Sequence, residues 1–303
     1  MIHLRHLIIV PDLMLVLAIM SLYSMKEILA DAQKRGYGVG FFNAVNLEMI
    51  RAYVRAAEDT SSPIIIGTAE GLLPYADINW ITPILLNAAK NAKIPVAVHL
   101  DHSYSFDVIM KALAAGFGSV MFDGSLLAYE DNIRVSADIT RIAHPMGINL
   151  ECELGKVGGL EEGGGVKGQN IYTDPTQALE FVEKTDADFL AVSIGTTHGV
   201  YAETPCLDLQ LLEKIRKTIP LPLVLHGGSG LSDDDFRNCI RGGISKINIY
   251  TDVITAALKA VKEESGKLEF MNINYVDINR KAEEAMYNVV VNKIKLFGSE
   301  SRY

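Results

Sequence analysis

The sequence predicts a single-domain α/β protein, a closed (β/α)8 TIM barrel, and three observations predict it. Short apolar runs ending in polar residues or glycine alternate with longer stretches of helical spacing, the pattern of a parallel sheet. The runs number eight: Gly38–Asn43, Pro63–Thr68, Pro95–Asp101, Gly118–Asp123, Ile148–Glu153, Asp188–Ile194, Pro222–His226 and Ile244–Ile249. No Gly/Ser/Pro-rich linker divides the 303 residues, so the eight units share one core, and the chain is long enough to fill it.

Each element carries its own signal. Leu47–Glu58 and Ser105–Ala115 place apolar residues at helical spacing between strands. Within the strands, every second residue faces the same way. In Ile148–Glu153 the apolar face is Ile148, Leu150 and Cys152, and the polar face is Asn149, Glu151 and Glu153. In Pro95–Asp101, Val96, Val98 and Leu100 oppose Ala97, His99 and Asp101; in Ile244–Ile249, Ile247 and Ile249 oppose Lys246 and Asn248. The apolar faces suit the outer helices, which leaves a barrel interior that is polar toward its top, where a structural barrel would place branched apolar side chains. Buried carboxylates and a lysine must be paired or must serve chemistry. Lys246 neutralising Glu151 and Lys246 acting directly stand as two alternatives.

The composition, 49% hydrophobic and 21% charged, is that of an ordinary globular chain. A net charge of −9 excludes general polyanion binding, and with it a nucleic-acid partner, but leaves room for one phosphate held by backbone amides and a metal. Cys152, Cys206 and Cys239 are odd in number and have no CxxC spacing, which suits a reducing compartment, the cytoplasm. Leu7–Met20 is the one candidate membrane or targeting element. It is too short to span, and Pro11-Asp12 interrupts it, so no membrane role is expected. Residues 1–20 are expected to be an extension outside the fold, with Met20 or Met25 as alternative starts and the barrel over 21–303.

In such barrels chemistry gathers at the C-terminal strand ends. There the sequence places Asn43, Asp101-His102, Asp123, Glu153, His198, His226 and Asn248. Three histidines from three strands can converge as neutral imidazoles with one position left open, the arrangement of a catalytic zinc. His226-Gly227-Gly228-Ser229-Gly230 follows strand 7 and Asn248-Ile249-Tyr250-Thr251 follows strand 8, the recurrent phosphate site of this fold. The glycine-rich loop from Gly155 to Thr173 carries Glu161-Glu162, either a solvated acidic loop or a mobile segment bringing a carboxylate over substrate.

Taken together, the stretches VAVHLDHS (96–103), GFGSVMFDGS (116–125), ECELGKVGG (151–159), SIGTTHGVY (193–201), LVLHGGSG (223–230) and KINIYTD (246–252) resemble the class II, metal-dependent ketose-bisphosphate aldolases of fructose and tagatose type. The likeness runs from about Met25 to KIKLFGS (293–299). It implies a zinc-dependent aldol cleavage of a ketose 1,6-bisphosphate to dihydroxyacetone phosphate and glyceraldehyde 3-phosphate. By position it implies His102, His198 and His226 as zinc ligands and Asp101 as the acid/base at the C4 oxygen. Glu161 becomes the loop carboxylate that exchanges a proton on the dihydroxyacetone-phosphate carbon, and Asp123 and Glu153 become alternative or outer carboxylates of the metal. Asn43, Gly199, Gly227, Gly228, Ser229, Asn248, Ile249, Tyr250 and Thr251 are expected, from their strand-end positions and the resemblance, to bind substrate and its phosphate, with a monovalent cation (Na+ or K+) as a further expected ligand. His99 is not a ligand in this pattern. Tyr250 stands where one fructose-specific branch has Asp, and Ala69 where some members have a hydroxyl, so the stereochemistry and the second phosphate are open. The family implies a homodimer or homotetramer, and tagatose-type members can work with a second, non-catalytic subunit.

Three other readings are weighed. A non-catalytic partner subunit lacks the ligand set, which this chain keeps. A metal-dependent barrel hydrolase usually needs a His-x-His pair on strand 1, which here ends Phe41-Phe42-Asn43. An aldolase forming a Schiff base on Lys246 would survive metal removal. An aldolase acting on a related phosphorylated ketose or deoxy sugar acid is the alternative substrate class.

Overall fold

In the computed structural model, which describes residues 23–159, 171–199, 201, 205–266 and 274–303, eight parallel strands close into a barrel. They are β1 (Val39–Asn43), β2 (Ile64–Ala69), β3 (Val96–Ser103), β4 (Ser119–Phe122), β5 (Asn149–Leu154), β6 (Phe189–Val192), β7 (Leu223–Leu225) and β8 (Ile244–Asn248). Each pairs with its chain neighbour, and β1 closes the ring on β8. Every expected strand is present to within two residues at either end. Residues 1–22 lie outside the described residues, so the expected extension over 1–20 is left as a sequence reading.

The helices are α1 (Met25–Arg35), α2 (Leu47–Asp59), α3 (Ile78–Asn91), α4 (Phe106–Ala115), α5 (Tyr129–Ala143), α6 (Pro175–Thr185), α7 (Leu209–Thr218), α8 (Asp233–Arg241), α9 (Thr251–Ser265) and α10 (Tyr275–Phe297). None of them is long and apolar enough to cross a membrane. The outward strand faces, among them Val96, Val98, Leu100, Leu150 and Cys152, join the helices in one large core, as the alternation predicts.

A second, separate core lies inside the barrel. Val39, Phe41, Ile65, Ala97, Met121 and Phe189 point inward and meet Met25, Ile28, Leu29 and Ala32 of α1. Helix α1 therefore plugs the N-terminal end of the barrel. It starts at a capping box, in which Ser24 Oγ accepts the Lys26 N–H and Glu27 reaches back to the Ser24 N–H, and it ends on Gly36 in the left-handed region. Its three large apolar residues, each with no exposed surface, contribute about 1.5–3 kcal/mol apiece.

Asp188, just before β6, anchors this floor. Its carboxylate accepts from Lys26 Nζ (2.8 Å), the Leu150 N–H (2.9 Å) and His144 Nε2 (2.9 Å). His144, which has no visible task in the sequence, is thus structural. Burial pushes the Asp188 carboxyl up, but Lys26, the Leu150 amide and His144 outweigh it and hold it below its ordinary 3.8. A depressed carboxyl stabilises the fold fully above its unfolded value and loses that contribution as pH falls through the folded one. Asp188→Asn should therefore cost about 1.5–3 kcal/mol at neutral pH. Urea unfolding should show the gap to wild type narrowing as pH falls below the ordinary carboxyl value of 3.8; a gap that does not change with pH would count against the anchor.

Candidate active site and metal centre

Strand alternation alone cannot bring both Asp101 and His102 to the barrel mouth, because neighbours in a strand face opposite ways. Asp101 continues the inward set of Ala97 and His99. His102 reaches the same side because it sits at φ 36°, in the left-handed region, where the β3–β4 register shifts between Leu100 and Ser103. A bulge of this kind re-aims a side chain, and its local strain is typical of functional sites. Glu70, absent from the sequence reading, holds the exit from this bulge. Its Oε2 accepts from Ser103 Oγ (2.7 Å) and from the N–H groups of Tyr104 (2.9 Å) and Ser105 (3.0 Å).

His198 is aimed by a different device. Thr197–His198 forms a two-residue parallel pair with Gly158–Gly159 outside the barrel. A Cβ on Gly159, which sits at φ +94°, would lie 2.3 Å from the His198 carbonyl oxygen, so this approach requires glycine. The first glycines of the loop are thus an ordered support for His198. Glu161 itself lies outside the described residues.

His102, His198 and His226 converge, each offering a ring nitrogen within 4.8 Å of the others. His226 Nδ1 lies 2.7 Å from His102 Nε2. His102 Nδ1 lies 3.0 Å from Asp123 Oδ2, and His226 Nε2 lies 2.9 Å from Glu151 Oε1. Both ring nitrogens of His198 are buried and lack a hydrogen-bond partner among the described residues. Burial first, then the neighbouring histidines, push His198 well below its ordinary value, and burial and His102 lower His226. Neutral imidazoles with converging lone pairs and an orphaned buried nitrogen are a donor set that fits a divalent metal of zinc type.

The carboxylates divide by environment. Asp101 accepts from Asn43 Nδ2 (3.0 Å) and Asn248 Nδ2 (3.0 and 3.1 Å). Burial pushes Asp101 up, but His102, Lys246 and His226 outweigh it and hold it below the usual carboxylate range. Asp123 is lowered too, its burial outweighed by His102 and by the Ser125 N–H. Glu153 goes the other way: burial and the adjacent Asp123 charge raise it well above the usual range. It stands with His102 and Asp123 as a second group able to hold a cation.

Lys246 is fully buried, 2.9 Å and 3.1 Å from the two oxygens of Glu151. Of the two alternatives left by the sequence, the ion pair is the one formed. His99 is neutral, lowered to about 3 chiefly by burial, with Nδ1 2.8 Å from Ser119 Oγ and its ring edge-on to Phe41.

The glycine turns complete the site. A small cavity is lined by His102, His198, Gly199, Gly227, Gly228, Ser229, Asn248, Tyr250 and Thr251. It shares Gly199, Ser229 and Thr251 with a cleft of about 620 Å3 beside α9 and α10. At Gly227, φ +66°, a Cβ would stand 2.5 Å from the Thr197 carbonyl oxygen. Tyr201 staples these two loops, its hydroxyl donating to the Gly227 carbonyl (2.7 Å) and accepting the Thr197 N–H (3.0 Å). Ser229 Oγ accepts from the N–H groups of Asp252 (3.2 Å) and Tyr250 (3.3 Å), where α9 begins without a side-chain cap. An amide-rich turn at a helix N-terminus is an anion site. Two expected substrate-binding residues do not line this cavity: Ile249, whose side chain is in the core and whose N–H bonds the Phe41 carbonyl (3.0 Å), and Asn43, which donates to Asp101 instead.

A barrel mouth with three converging imidazoles, a buried aspartate beside them and a glycine cradle is the setting in which relatives become informative. The family model described as "Fructose-bisphosphate aldolase class-II" matches residues 23–302. The chain belongs to the class II fructose-bisphosphate aldolase family. Among its relatives is the fructose-bisphosphate aldolase of Thermus caldophilus, 39% identical over 302 residues, covering 91% of this chain and 98% of the relative. The protein YdjI of Escherichia coli K12 is 38% identical over 272 residues, covering 90% and 96%. The crystal structure of the YdjI aldolase superposes with a TM-score of 0.83 at 35% identity, covering 93% of this chain and 99% of that one. As a class II aldolase the protein is a carbon–carbon lyase of carbohydrate metabolism.

Proposed function

We propose that this class II aldolase cleaves a ketose 1,6-bisphosphate of tagatose or fructose type reversibly to dihydroxyacetone phosphate and glyceraldehyde 3-phosphate, with zinc as its metal. The observation that carries this reading is the convergence of His102, His198 and His226 beside Asp101 and the Gly227–Ser229 turn.

His102, His198 and His226 would hold the ion, and Asp123 and Glu153 would serve as outer or alternative carboxylates. When bound, a divalent ion supplies Lewis acidity where negative charge develops on the ketone oxygen. The chain does the rest. Asp101, ionised and positioned by Asn43 and Asn248, takes the C4 hydroxyl proton as the C3–C4 bond breaks. Gly199, Gly227, Gly228, Ser229, Asn248, Tyr250 and Thr251 hold the substrate phosphate through amides and hydroxyls, with a monovalent cation alongside. Glu161 returns a proton to the carbon that carried the broken bond. Lys246 forms no Schiff base in this scheme, because its amine is engaged by both oxygens of Glu151. The working state is a homodimer or homotetramer in the cytoplasm, a compartment that suits three free thiols.

The test is a zinc-replete condensation of dihydroxyacetone phosphate with a panel of aldehydes, reading product stereochemistry. A fructose- or tagatose-configured bisphosphate from glyceraldehyde 3-phosphate supports the assignment. Turnover of other aldehydes but no phosphorylated one would move it to a related phosphorylated ketose or deoxy sugar acid.

A further inference from the structure

Below the three histidines lies a buried charged group that the cleavage scheme does not use. Glu151, on β5, and Lys246, on β8, have no exposed surface. Lys246 Nζ stands 2.9 and 3.1 Å from the Glu151 oxygens but 3.9 Å from Asp101 Oδ1, so it is the counter-ion of Glu151 before that of Asp101. Phe41 closes its other side, with the ring centroid 4.6 Å from Nζ. His99, Asp101 and Glu151 form a group of the kind that holds a metal, and the ammonium of Lys246 stands among them in place of an ion. Glu151 Oε1 is also 2.9 Å from His226 Nε2.

We propose that Glu151, held in place by Lys246, is a positioning residue that fixes His226 as its Nε2–H tautomer and so leaves Nδ1 as the nitrogen facing the metal. An ionised carboxylate only accepts, so the proton between Glu151 and His226 resides on Nε2. Neutral imidazole carries one proton, which makes Nδ1 the lone pair. The surroundings of Nδ1 agree: it faces His102 Nε2 at 2.7 Å and the amide nitrogen of Asn248 at 3.3 Å, a donor already directed at Asp101. The arrangement matches that of His102, whose Nδ1 is anchored on Asp123 and whose Nε2 faces the centre. Two ligands thus have their outer nitrogen tied to a carboxylate, and His198 has neither nitrogen tied among the described residues. Lys246 acts through Glu151. The ammonium spans both carboxylate oxygens, so without it the carboxylate loses the contact that aims Oε1 at Nε2. Glutamine at position 151 reverses the tautomer directly, turning its amide N–H to His226.

This assignment rests on the metal-centre reading, and its test separates the two. Zinc affinity is measured by chelator competition on the full chain for wild type, E151Q, K246M and the double variant. The His226 tautomer is read by long-range 1H–15N correlation on zinc-loaded wild type. The expected results are a proton on Nε2 in wild type and a 10- to 100-fold weaker zinc affinity in E151Q and K246M, as outer carboxylates of metal-bound histidines generally show. The double variant should be no weaker than E151Q, because both changes act through one hydrogen bond. Zinc bound equally by wild type and a folded E151Q overturns the assignment and leaves the metal centre standing; wild type that binds no zinc removes both. If E151Q does not fold, the wild-type spectrum decides alone, and a proton on Nδ1 overturns it.

Discussion

Asp101→Ala lowers turnover by about 10²- to 10⁴-fold, the range for removing a positioned general acid or base, while the chain retains its zinc. Both halves follow from where Asp101 sits. Its oxygens are held by Asn43 and Asn248, and it lies outside the set of His102, His198 and His226. The imidazoles keep their own anchors, Asp123 for His102 and Glu151 for His226, after its removal. Asp101→Asn should be no milder, since an amide would set N–H groups against the N–H donors of its neighbours. Metal content by atomic absorption, beside kcat, checks this. Zinc lost in proportion to activity would make Asp101 a ligand and contradict its role as base.

Stripping the divalent ion with a chelator abolishes cleavage by at least about a thousandfold, and zinc restores it, because Lewis-acid stabilisation supplies several kcal/mol of the barrier reduction. The alternative electron sink within the barrel would be an iminium formed on Lys246, and its amine is buried and paired to a carboxylate. Borohydride in the presence of substrate should therefore leave the enzyme active. Zinc should also raise the unfolding temperature, since the three histidines converge only in the folded state. Activity that persists after complete removal of metal would return the chemistry to Lys246.

The fold was legible because parallel barrel strands are short, apolar and evenly punctuated, and the alternation of Glu151 and Glu153 with Leu150 and Cys152 exposed the polar upper part of the interior, above the apolar layer that meets α1. Helix α1 was less legible. It belongs to no strand–helix pair, and its function as a floor plug shows only when the inward residues of separate strands are brought together. The histidines and Asp101 could be placed at strand ends from the sequence. The means of aiming them could not. A strict period of two would turn His102 away from Asp101, and nothing in the local sequence announces the left-handed bulge that turns it back. The pairing of Gly158–Gly159 with Thr197–His198 joins segments about 40 residues apart and is invisible to local periodicity. The Lys246–Glu151 pair joins residues 95 apart in the chain, so the sequence could state it as an alternative and only the barrel closure could decide it.

The most direct test of metal-assisted aldol chemistry at this site needs no aldehyde and no assumption about sugar stereochemistry. The zinc-replete chain is incubated with dihydroxyacetone phosphate alone in D2O and followed by 1H NMR. One hydrogen of the hydroxymethyl carbon should exchange with solvent, and chelation should stop the exchange. A zinc-replete chain that binds dihydroxyacetone phosphate yet leaves both hydrogens in place would contradict that chemistry.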